Sequence, residues 1–242
     1  MATFVLVHGA WGGSWEWTPV AHALGDRGHR VFRVALTGLG EREHVRSSRV
    51  ALSDHIEDVQ AVLRFEELED VVLCGHSYAG MVVTGVADRM AERVRLLAYL
   101  DAFVPRDGES MHDLLPEEFA AALLDAARER GDGRVPIPDA LLPPSAPGDA
   151  ATERYVARLR PQPIATFTEP VRLTGAVDRV PKAYVECTGY EGSAMGPFVE
   201  RARSEGWTHR QLRTAHDLQL TDPDGTVEIL DEFGGASTRA AA

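Results

Sequence analysis

Three residues far apart in the chain carry side chains suited to nucleophilic chemistry: Ser77 in GHSYAG, Asp101 in LLAYLDAF and His216 in RTAHDLQLT. A free serine hydroxyl is a poor nucleophile at neutral pH. It needs a base to take its proton, and histidine supplies one when an acid on the far ring nitrogen fixes its tautomer. Serine, acid, histidine is one of the chain orders in which this set recurs. Ser77 also stands in a near-match to the Gly-x-Ser-x-Gly turn, with Ala79 in the last place and Gly80 one step late. Each residue has a plainer reading: a strand-to-helix turn for Ser77, a loop histidine for His216, and a turn or helix cap for Asp101.

Their positions along the chain favour chemistry. Apolar, β-branched runs of strand length occur at 4–7, 31–35, 71–74, 96–100, 183–187 and 209–212. They lack polar alternation, as strands of a parallel sheet covered on both faces do. Helical patterns lie between them at 17–27, 53–63, 79–90, 198–205 and 226–233. The βαβαβα order predicts an α/β fold with an open, doubly wound and mostly parallel sheet. Ligands of such sheets collect at the carboxyl ends of the strands, so the residue after each strand is where chemistry is placed.

Ser77 follows the third run, Asp101 the fourth and His216 the sixth. The first exit, His8-Gly9-Ala10-Trp11-Gly12-Gly13, is rich in glycine and leaves backbone N–H groups available to negative charge. The fifth exit, YVECTGYEG, places Tyr190 and Glu191 where an acid would be expected. Asp101 is therefore the first candidate for the acid and Glu191 the second.

Between 105 and 181 the alternation stops. Helix-like PEEFAAALLDAARERG is followed by the proline-rich stretches VPIPDALLPPSAPGD and RPQPIATF, which read as a cap over the carboxyl edge of the sheet. The chain is expected to be one domain, with core 1–104 and 182–233, cap 105–181 and a flexible tail 234–242. A net charge of −12 argues against nucleic acid and anionic membranes as partners and leaves a small molecule. Two separated cysteines, Cys74 and Cys187, give no disulfide framework or metal motif. The first residues lack the basic and long apolar parts of a signal peptide, so a cytoplasmic location is expected. Oligomeric state, monomer or homodimer, stays open.

The segments FVLVHGAWGGSW, LTGLGERE, GHSYAG, YLDAFVP and HDLQLT, in this order, resemble the α/β-hydrolase fold family. More narrowly, they are similar to the plant methylesterase and hydroxynitrile lyase group and its bacterial esterase-like relatives, over residues 3 to about 233. The resemblance implies Ser77 as nucleophile, His216 as base, and an oxyanion hole from the N–H groups of Ala10 and Tyr78, with no metal or organic cofactor. Hydroxynitrile lyases of the plant type carry threonine after the first-strand histidine and lysine after the catalytic histidine. Here those places hold Gly9 and Asp217, which disfavours cyanide release. The usual acid position of the family falls at Tyr190, so either Asp101 substitutes for it from the neighbouring strand or the machinery is a dyad.

The reaction implied is hydrolysis of a small carboxylic ester or lactone through an acyl-enzyme, with Trp11, Tyr78, Phe103 and Met195 near the pocket. Two other functions fit the same residues. A lyase, cyclase or decarboxylase acting on a secondary metabolite such as a polyketide would use His216 as general base, and a non-catalytic protein would enclose a small ligand under the cap.

Overall fold

The computed structural model describes residues 1–45, 47, 49–142, 150–191 and 193–235. All six expected strands form: β1 (Thr3–Val7), β2 (Arg30–Val34), β3 (Val71–His76), β4 (Val94–Leu100), β7 (Lys182–Cys187) and β8 (Thr208–Leu212). They make one parallel sheet in the order β2-β1-β3-β4-β7-β8. A short antiparallel pair, β5 (Arg134–Val135) and β6 (Gln162–Pro163), lies in the insertion and was not legible in the sequence.

The helices are α1 (Thr18–Asp26), α2 (Leu52–Phe65), α3 (Ala79–Arg89), α4 (Met111–Leu114), α5 (Glu117–Arg130), α6 (Ala150–Val156), α7 (Ala165–Thr168), α8 (Gly196–Ser204), α9 (Leu218–Thr221) and α10 (Pro223–Gly235). Among the described residues, no helix is long and apolar enough to cross a membrane.

Why the central strands show no polar alternation is visible in their packing. Val5, Val7, Val71 and Leu73 pack into one core with residues of α2 and α3. Phe4, Leu6, Val72 and Cys74 pack into a second core with Trp17, Leu24, Leu230 and Phe233. Successive residues do point to opposite faces, but both faces are buried.

One expectation needs correction. Gly234 and Gly235, assigned to a flexible tail, form the last turn of α10. Gly234 lies against Phe4 and His29, where a Cβ would come within 3.0 Å of both rings, so close packing explains why glycine ends this helix. The remaining tail, 236–242, and part of the proline-rich stretch, 143–149, lie outside the described residues.

The strand order reverses between β1 and β3, which opens a crevice at their carboxyl ends. Register completes the placement. His76 pairs with Leu100, and Leu100 pairs with Val185, so Ser77 and Asp101 leave neighbouring strands side by side. The Ser77 N–H donates to the Leu100 carbonyl (3.3 Å) and the Asp101 N–H to the Val185 carbonyl (2.8 Å).

Candidate active site

Ser77 adopts φ +54°, a conformation that a non-glycine residue rarely holds without support. The support comes from close packing around the turn. A Cβ on Gly75 would come within 2.8 Å of the Ala79 carbonyl oxygen, and one on Gly80 would lie 1.9 Å from the carbonyl oxygen of Phe103. The glycine that looked one step late is thus the one the chain after β4 requires. Ala79 meets no such demand and tolerates its methyl. Trp11 (φ +61°) and Asp101 (φ +45°) are strained in the same way, so the exits of β1, β3 and β4 each carry a strained residue.

Asp101 is fully buried. Its Oδ2 lies 2.7 Å from His216 Nδ1, and its Oδ1 accepts the Cys187 N–H (3.3 Å). Because an ionised carboxylate only accepts, the proton of a neutral His216 sits on Nδ1, leaving the Nε2 lone pair free to act as a base. Burial opposes charge on His216, but the hydrogen bond to Asp101 and the negative charges of Asp217 and Asp101 outweigh it, and the pKa is raised. A third of the His216 side chain remains accessible. Glu191, the second candidate acid, is exposed.

His76 packs against His216 and bonds its backbone. The two rings lie 4.7 Å apart, and His76 Nε2 lies 3.0 Å from the His216 carbonyl oxygen. Burial, helped by repulsion from His216, lowers the His76 pKa to about 3, so it is neutral and its proton is on Nε2, donating to that carbonyl. Its Nδ1 then accepts from Gln219 Nε2 (3.4 Å), which also approaches Glu16 (3.4 Å). Glu16 is itself buried, and burial together with the charge of Asp217 raises its pKa well above the carboxylate range. Sequence reading missed Glu16 and Gln219. The one visible signal was a carboxylate wedged between two tryptophans in SWEW.

The first exit is built with equal care. His8 is fully buried, and burial lowers its pKa to about 4. Its Nε2 accepts the Leu36 N–H (3.2 Å), so its Nδ1–H donates to the Gly9 carbonyl (2.8 Å). The Gly9–Ala10 peptide is planar and trans, so fixing its carbonyl also fixes the direction of the Ala10 N–H. Gly9 packs on the Ser77 turn, where a Cβ would lie 3.2 Å from that of Ser77. Among the described residues, no acceptor takes the N–H of Ala10 or Tyr78.

LTGLGERE holds the same loop from outside. Glu41 accepts both the N–H (3.0 Å) and the hydroxyl (2.8 Å) of Ser14, and Gly40 lies against Gly13 so closely that neither could carry a side chain.

Trp11 has a different place from a free pocket wall. Its N–H donates to Gln162 Oε1 (3.0 Å), its indole N–H to the Val135 carbonyl (3.0 Å), and its carbonyl accepts the Arg160 N–H (2.8 Å). All three partners belong to the insertion, which also reaches the second exit through Arg134 donating to the Gly38 carbonyl (2.6 Å). The other proposed pocket residues are buried. Tyr78 points into the core with its hydroxyl 3.0 Å from His55 Nδ1, Phe103 packs edge-on against Phe198, and Met195 precedes α8.

A serine on a strained turn after a parallel strand, an aspartate at the end of the neighbouring strand and a histidine in the loop after the last strand, held by that aspartate, together suit one family at the level of fold. A family model described as "Alpha/beta hydrolase family" matches residues 4–229. The chain belongs to this family. Among curated proteins, this hydrolase is 39% identical to the carbendazim hydrolyzing esterase of Nocardioides sp. (strain SG-4G), over 97% of this chain and all of that protein. It is 27% identical to methylesterase 18 of Arabidopsis thaliana, over 91% of this chain and 89% of that one. Among solved structures, an extracellular alpha/beta-hydrolase from a Paenibacillus species superposes with a TM-score of 0.87 at 23% identity, covering 98% and 100% of the two chains, which shows the shared fold.

Proposed function

We propose that the protein hydrolyses a small carboxylic ester or lactone through an acyl-enzyme on Ser77. It is an ester-cleaving hydrolase, as its near full-length relationship to an esterase at 39% identity supports. The observation that carries the assignment of roles is the buried Asp101 carboxylate 2.7 Å from His216 Nδ1, beside a serine held at positive φ.

In the proposed mechanism His216 Nε2 takes the Ser77 proton as Oγ attacks the carbonyl carbon. The N–H groups of Ala10 and Tyr78 receive the oxyanion, each worth about 3 kcal/mol in the transition state. The imidazolium then gives its proton to the departing alkoxide, and a water activated by His216 releases the acid. A cytoplasmic setting belongs to the same proposal, since both cysteines are free, buried thiols.

Labelling with a fluorophosphonate is the direct test. The expected adduct is a single modification at Ser77, located by mass spectrometry of the peptide, with ester turnover lost in parallel. A folded protein that turns over ester and leaves Ser77 unmodified would overturn the acyl-enzyme, and direct attack by a water that His216 activates as general base would take its place.

A pH profile tests the base. Only neutral His216 can take the serine proton, so protonation inactivates. Because its pKa is raised, kcat/KM is expected to fall as pH drops through a value above 6.5. An acid limb at 5 or below would contradict the assignment.

A further inference from the structure

We propose that Tyr190 is a positioning residue of this site, whose phenol holds Asp101 in place against His216 and tempers the charge that Asp101 presents to the imidazolium. This rests on the roles proposed above for Ser77, Asp101 and His216. The Tyr190 oxygen, in the loop after β7, lies 2.5 Å from Asp101 Oδ2, 3.0 Å from Ser193 Oγ and 3.3 Å from His216 Nδ1.

A phenol has one proton to give, and the geometry decides where it goes. Asp101 offers only lone pairs, so Tyr190 donates to it, and Ser193 must then donate to Tyr190. Ser193 Oγ in turn accepts the Met195 N–H (3.1 Å), which fixes its own orientation. The phenol stays protonated, since burial and then the negative charge of Asp101 raise its pKa.

The carboxylate is therefore held at three points: Oδ1 by the Cys187 N–H, and Oδ2 by both His216 and Tyr190. Sharing Oδ2 has two consequences. The carboxylate cannot rotate away from the ring, and part of its charge density is committed to the phenol, so it stabilises the imidazolium less than it would alone. The other groups facing His216 are His76 at the end of β3, the neutral Cys187 thiol on β7, and Asp217 beside it, with Glu16 and Tyr155 beyond Asp217. Among the described side chains facing His216, Tyr190 alone donates to the carboxylate that orients it.

The test is Tyr190→Phe with p-nitrophenyl acetate, alongside wild type and Ser77→Ala. The expected result is a fall in kcat of about fivefold to tenfold, the loss of one hydrogen bond acting through another group. KM should be unchanged, and the acid limb of kcat/KM should move up by about half a pH unit as Asp101 holds the imidazolium more firmly. A second readout avoids turnover altogether: in the folded variant at a pH below the limb, the proton NMR signal of His216 Nδ1–H should move downfield.

A limb and a resonance both unmoved would overturn the positioning role, even if the melting temperature falls. The Ser77→Ala arm separates the two levels. If Ser77→Ala retains wild-type turnover, the acyl-enzyme reading fails. If it is inactive while Tyr190→Phe behaves as wild type, only the role of Tyr190 fails.

Discussion

Ser77→Ala is expected to lower kcat on an activated ester such as p-nitrophenyl acetate by about 10⁶, the scale seen when the nucleophile of a serine triad is removed. The substitution takes away one oxygen, and φ +54° suits alanine no better and no worse than serine. What fixes the turn is Gly75 against Ala79, Gly80 against Phe103, and the Ser77 N–H on Leu100, all of which the alanine variant retains. Circular dichroism and thermal melting should therefore match wild type closely.

The residual rate should be that of a bound ester attacked by water beside the proposed oxyanion donors, the N–H groups of Ala10 and Tyr78. His216→Ala should be nearly as inactive, and the double variant no worse than either, because the two act as one unit. A Ser77→Ala protein that keeps a tenth of wild-type turnover would show that Oγ is not the attacking atom.

Asp101→Asn is expected to cost about 10⁴ in kcat with KM little changed, for a reason the hydrogen-bond pattern makes specific. Three donors converge on this carboxylate: Cys187 N–H on Oδ1, and Tyr190 O–H and His216 Nδ1–H on Oδ2. An amide has one acceptor oxygen. With that oxygen toward His216, its NH₂ group faces the Cys187 N–H, donor against donor. With the amide turned, the Cys187 contact is satisfied and NH₂ faces the imidazole, which then moves its proton to Nε2 and can no longer act as a base. Tyr190 can adapt by accepting instead of donating, so the turned amide and the wrong tautomer are favoured together. A variant within tenfold of wild type would mean that Ser77 and His216 work as a dyad, with Asp101 serving only to brace the loop.

The adjacency of Ser77 and Asp101 was legible in the sequence because parallel pairing makes strand exits adjacent. Once 71–76 and 94–100 are read as neighbouring strands, Ser77 and Asp101 must emerge together. The nature of the fifth exit was half legible. Tyr190 was seen to occupy the place of an acid, but its donation to Asp101 joins residues 89 apart and depends on a loop path that no periodicity encodes. Trp11 was read as a pocket aromatic from its type and position. Its hydrogen bonds run to Val135 and Gln162, 124 and 151 residues away, inside a segment whose proline-rich sequence gave no pattern to follow. Gly80 looked like a defect in the serine turn because spacing was counted along the chain, whereas the contact that demands glycine comes from the backbone at Phe103.

The clamp on Trp11 also bears on how the substrate range of this enzyme can change. The insertion, 105–181, supplies the acceptors for Trp11, the residue next to Ala10, so the insertion and the first exit are not independent modules. A chimaera that imports another hydrolase's insertion without counterparts of Gln162 and the Val135 carbonyl is expected to release the strained loop that carries Ala10, the proposed oxyanion donor. In directed evolution, productive changes are then expected to cluster in the parts of 105–181 that do not touch Trp11. Lineages that alter the clamp should need a compensating change near residues 9–13 before their turnover recovers.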